Sequence, residues 1–138
     1  MSTSEDSNGA DERVHREYIM NVRIVELPGE DGPRYRFGAS EHAGRTFAEA
    51  DTAELYADVY FDVNGFEEAG TGERGIPPVM LQAGRDTLAA YMLTMPYADR
   101  QWVGSFFGVK PGKVERYESR VRKRARNIRR RAKEEGYA

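Results

Sequence analysis

Between Lys110 and Lys133 a guanidinium or ammonium group recurs every one to four residues, in the run KPGKVERYESRVRKRARNIRRRAK. Such groups bind phosphate oxygens through charge-assisted hydrogen bonds, and a dense row of them displaces the counterions of a polyanion. Other chemistries have less to build on. There are no cysteines, and the two histidines, His15 and His42, lie far apart, so neither a thiolate site nor a zinc centre is expected. The carboxylates are scattered, without a histidine partner or a recurrent metal spacing, and read as solvated surface. No catalysis, cofactor or metal is expected.

The charge is unevenly divided. Lys110–Ala138 holds 12 of the chain's 21 basic side chains and 4 of its 23 acidic ones, a local +8, while the rest of the 138 residues carries −10. The formal net charge of −2 hides that separation, which points to a polyanionic partner. An acidic body with few lysines also resembles proteins of salt-loving microorganisms in composition. No apolar run is long enough to span a bilayer, and the polar, acidic start MSTSEDSNGADER is unlike a secretory signal, so a cytoplasmic protein with no membrane contact is expected.

The elements that must position the basic run follow from patterning. Residues 1–12 have almost nothing to bury and read as a disordered tail. EYIMNVRIVEL, the turn PGEDGP and RYRFGAS read as a β-hairpin, and RTFAEA as a third strand with Phe47 facing inward. In DTAELYADVYFDVNGF, Asp51 stands three residues before Glu54 in a capping arrangement. Leu55, Val59 and Val63 then recur at helical spacing, and Gly65 supplies a left-handed stop. Residues 13–70 therefore form a small α+β subdomain, with a boundary in the glycine-rich stretch near Gly70–Pro77. Beyond it, VMLQAGRDTLAAYMLTM predicts one helix with Leu81, Leu88, Met92 and Met95 on its apolar face, ended by Pro96.

The stretch DRQWVGSFFGVKPGKVERYESRVRKR, Asp99–Arg124, has the spacing of two helices joined by a tight turn. Asp99 is an N-cap, Val103, Phe106 and Phe107 are expected to be buried, and Gly104 is the small residue that lets the second helix cross closely. Gly108 takes the positive-φ turn, and Val109 and Val114 anchor the second helix, which Pro111 opens. On the second helix, Val114, Tyr117 and Val121 are expected to pack inward, with Ile128 available for a dimer seam.

These residues resemble the helix-turn-helix of sigma-factor region 4 and related bacterial and archaeal regulators, over roughly Met80–Arg126. The resemblance implies that the second helix reads bases while basic residues around it hold phosphates. Carried over residue by residue, Lys110, Lys113 and Arg116 are candidates for base or phosphate contacts, and Arg120, Arg122, Lys123 and Arg124 for backbone contacts. Three departures stand out: Gly104 replaces the usual alanine, Trp102 occupies a position that is usually polar, and Lys110 replaces the usual Ser or Thr N-cap.

The expected architecture is α+β. A small antiparallel β-sheet with one helix precedes a C-terminal three-helix helix-turn-helix unit, residues 77–138, with an extended basic helix. The expected function is a DNA-binding transcriptional regulator acting on double-stranded DNA, with a homodimeric or transcription-machinery contact through residues 13–70. The alternatives are a nonspecific nucleic-acid-binding or assembly protein of a mobile element, and an interaction adaptor that binds no DNA.

Overall fold

A computed structural model of the chain describes residues 12–40, 42, 44–66 and 76–137. Most of the expected N-terminal tail, and most of the expected boundary near Gly70–Pro77, lie outside them. The fold is α+β: a four-stranded antiparallel sheet followed by five helices among the described residues. The strands are β1 (Arg13–Glu17), β2 (Arg23–Leu27), β3 (Arg34–Gly38) and β4 (Arg45–Phe47), paired in sequence order.

The stretch expected as one strand, EYIMNVRIVEL, holds the last residue of β1, a turn and β2, so the hairpin runs over Arg13–Leu27. Met20 and Asn21 both adopt positive φ, 63° and 62°, and the Val22 N–H donates to the Ile19 carbonyl at 3.3 Å. This two-residue turn matches the right-handed twist of its strands. Asparagine favours the left-handed region and methionine does not, so composition concealed the turn. On the inner face of the sheet, Ile24 pairs with Phe37, and both are fully buried.

Helix α1 (Ala50–Asp62) lies between that sheet face and the C-terminal helix α5 (Pro111–Glu134). Its buried residues, Ala53, Leu55, Tyr56, Ala57, Asp58, Val59 and Phe61, therefore go most of the way around it, wider than the single stripe expected. Its N-cap is Glu49, without a side-chain cap hydrogen bond, and Asp51 lies inside the first turn. The left-handed stop falls first on Asn64, at φ 63°, one residue before the Gly65 expected; Gly65 follows at φ 93°, its N–H donating to the Tyr60 carbonyl at 2.8 Å.

The next expected helix is two, α2 (Pro78–Gln82) and α3 (Arg85–Leu93), because the chain turns extended at Ala83 and Gly84. That break changes the helical phase. Leu81 becomes 65% exposed, while Met80, Ala90 and Tyr91 are fully buried. Helix α4 (Arg100–Phe107) and α5 follow. The larger core cluster joins Ile24, Phe37 and Tyr56 to Met80, Tyr91, Val121 and Ala125, so the front and back of the chain share one apolar interior. A second cluster, of Ala89, Met92, Val103, Val114 and Tyr117, ties α3, α4 and α5 together.

Candidate nucleic-acid interface

The N-terminal end of the basic helix is fixed by the turn before it. The Asp99 carboxylate accepts the Trp102 N–H at 2.8 Å and starts α4, whose Val103 is fully buried. Gly108 takes the left-handed conformation, φ 72° and ψ 33°, and the Val109 N–H donates to the Gly104 carbonyl at 2.8 Å. A Cβ on Gly104 would stand 2.6 Å from the Val109 carbonyl oxygen. The turn therefore passes α4 more closely than an alanine allows. Lys110 is the N-cap of α5, with extended backbone and no side-chain cap hydrogen bond, and Pro111 occupies the first turn, where its missing N–H costs nothing.

Helix α5 has three kinds of surface. Val114, Tyr117, Val121 and Ala125 form its buried face. On the flanks, three arginines are taken up by carboxylates of the front half. Arg122 reaches Asp51 at 3.2 Å, Asp58 at 3.4 Å and Glu118 at 3.2 Å. Arg124 binds Asp62 through two nitrogens, at 2.8 and 2.9 Å, and also Asp86 at 2.8 Å and the Thr87 hydroxyl at 3.0 Å. Arg129 reaches Asp58 at 2.8 Å and lies over the rings of Tyr18 and Phe61.

Asp58, Asp62 and Glu118 are buried side chains in ion pairs, which corrects their reading as solvated surface, whereas Asp51 stays exposed. Asp51, Asp58 and Asp62 follow one another by seven and four residues and so occupy one side of α1. That spacing was the available signal. Burial raises the Asp58 carboxyl above its usual range, against the opposing pull of Arg129 and Arg122. Burial also acts upward on Asp86, but the hydrogen bond and charge of Arg124 together hold it below the ordinary aspartate value. Arg124 is raised in turn by its hydrogen bonds to Asp62 and Asp86. On α4, Arg100 donates to Glu118 at 2.9 Å, and that hydrogen bond raises it too.

The third surface faces away from the protein. At 100° per residue, Arg116, Arg120, Lys123 and Arg130 fall within about 80° of one another, with Lys113 and Arg131 at one edge and Arg126 at the other. From Lys113 to Arg131 this row is about 27 Å long at the helical rise of 1.5 Å per residue. Among the described residues, the one carboxylate paired with any of the seven is Glu134, 3.4 Å from Arg130. Lys113 and Arg120 lie 5.7 and 5.9 Å from the Tyr117 ring centroid, which steadies their stems without neutralising them.

Of the seven sequence-derived candidates, Lys110, Lys113, Arg116, Arg120 and Lys123 lie at the start of α5 or along its outer face. Arg122 and Arg124 are in the ion pairs with α1 and its neighbours. Arg126, Arg130 and Arg131 extend the outer row and were missed, although the helical period carries them there. Phe106, expected inside, is 60% exposed, and stacks with the 40%-exposed Trp102 at 6.1 Å, while Tyr97 meets Trp102 edge-on at 5.2 Å. Of the two histidines, His15 contacts Glu54 at 2.8 Å, and half-buried His42 contacts the Tyr56 hydroxyl at 2.7 Å.

Among the described residues, no group of three or more His, Cys, Asp or Glu could hold a metal ion. No helix there is long and apolar enough to cross a membrane. No protein family, curated protein or solved structure matches the chain.

Proposed function

We propose that this protein is a DNA-binding transcriptional regulator of the sigma-region-4-like helix-turn-helix kind, and that α4 and α5 are its two motif helices. The observation that carries this reading is the outer row of α5: seven basic side chains over about 27 Å, with a single carboxylate partner among the described residues. Duplex phosphates would neutralise such a row and release their counterions. Lys110, Lys113 and Arg116, at the leading end, would reach base edges or the nearest phosphates. Arg120 and Lys123, with Arg126, Arg130 and Arg131 behind them, suit backbone contacts. Arg122 and Arg124 act differently in this account, holding α5 against the acidic layer so that the row stays presented.

The exposed aromatic group of Tyr97, Trp102 and Phe106 favours a second reading, a protein-binding adaptor that uses the same helices as scaffold. Selection of duplexes from a random pool separates the two. A regulator enriches a sequence and binds it at least about 10³-fold more tightly than random duplex. An adaptor enriches none. On an enriched site, Lys113→Ala should change base preference, whereas Arg122→Ala should lower the melting temperature and leave preference intact. Loss of preference in Arg122→Ala with unchanged melting would contradict the division of the arginines.

A further inference from the structure

A cavity of about 640 Å³ opens where the β1–β2 turn, the end of α1 and the last turns of α5 meet. Ile19 and Met20 line it from the turn, Phe61 and Phe66 from the end of α1, and Ile128 and Ala132 from α5. Its size falls within the roughly 300–1,000 Å³ that hold small organic molecules. None of its described lining residues is charged, while Ser40, Tyr60 and Tyr137 bring hydroxyls and Asn64 an amide among the apolar side chains. A charged ligand would be desolvated there without a counter-charge. The wall suits an uncharged, mainly apolar molecule carrying a hydroxyl or carbonyl group.

A further observation points the same way. Met20 holds a left-handed conformation, φ 63°, that methionine rarely adopts, and it is 50% exposed at the cavity. Asparagine or glycine would make the same turn with less strain, so the methionine side chain is kept at a cost.

From these features we infer that the cavity is a binding site for an uncharged apolar small molecule, independent of any nucleic acid. Titration with Nile red, an uncharged apolar fluorophore, tests it on the full chain without DNA. One saturable site with a blue-shifted emission is expected. Ala132→Phe, which fills the cavity, should weaken binding about tenfold, and Met20→Gly, which removes a wall while relieving the turn, about threefold or more. Both variants should melt no lower than about 5 °C below the parent, so that lost binding is not lost folding. The inference is overturned if binding is not saturable, if both variants bind as the parent does, or if Trp102→Ala removes the site instead. It is also overturned if dye is expelled as protein concentration rises, which would mean that a second copy of the chain covers the cavity. Since no DNA is present, neither outcome bears on the proposed regulator.

Discussion

At the scale of single residues, the decisive positions are two glycines and one carboxylate. Gly108 supplies a left-handed turn, and Gly104 leaves room for the Val109 carbonyl. Alanine at position 104 would gain about 1 kcal/mol of helix propensity. The 2.6 Å approach to a backbone oxygen outweighs that gain, since relieving it requires a shift of the turn itself. Gly104→Ala is therefore expected to destabilise the protein by about 1–3 kcal/mol, measured by denaturant unfolding. A variant as stable as the parent would mean that the turn is looser than described. The residue that sequence reasoning placed least well is Asp58. A carboxylate 6% exposed, between α1 and α5, has no sequence signature by itself. Only its seven-residue spacing from Asp51, matched by that of Arg122 and Arg129, hints at a paired interior position.

At the scale of elements, α5 is the informative one. Its existence, start and apolar stripe were legible because Pro111, Val114, Tyr117 and Val121 obey the helical period. Ile128 continues that stripe, yet it lines the cavity, because the end of α1 leaves space there. The roles of the arginines were not legible from the helix alone. Which of them are neutralised depends on the acidic side of α1, and so on tertiary packing. Likewise the break at Ala83–Gly84 and the Met20–Asn21 turn interrupt stretches whose composition favours continuity, and burial of Met80 and Val22 settles both.

Arg124→Ala tests the structural role of the flank. It leaves Asp62, whose side chain is 4% exposed, without its guanidinium, and should cost about 2 kcal/mol, less than a fully buried pair because Arg124 is itself 44% exposed. The Asp86 contribution has a definite sign. Its carboxyl is lower in the folded protein than in the unfolded chain, so the stability it adds is complete above the ordinary aspartate value and is lost as pH falls through the folded value. Asp86→Asn should accordingly melt below the parent at neutral pH and converge on it in acid. A gap that widens in acid would reverse the assigned sign.

At the scale of the whole molecule, the two opposite charges of the chain serve different ends. The acidic front half takes three arginines of α5 into ion pairs, and the outer row of the same helix remains basic. A chain of net charge −2 thereby carries a strongly basic face, the one proposed to meet a polyanion. The fold class and the glycine turn were legible in the sequence. The shared core was not, since Val121 and Ala125 reach the sheet-backed cluster only once α5 lies across α1.

The central claim is that the outer row of α5 binds duplex phosphates while the flanking arginines hold the fold. Its most direct test is the salt dependence of duplex binding, followed by fluorescence anisotropy, for the parent and for Arg116→Glu/Arg120→Glu/Lys123→Glu. For the parent, log K should fall steeply with log salt concentration. The slope should be smaller by about 3 in the triple variant, at roughly 0.9 per phosphate contact, with the melting temperature unchanged. A parent that does not bind duplex DNA, or a triple variant with the parent's affinity and slope, would contradict it.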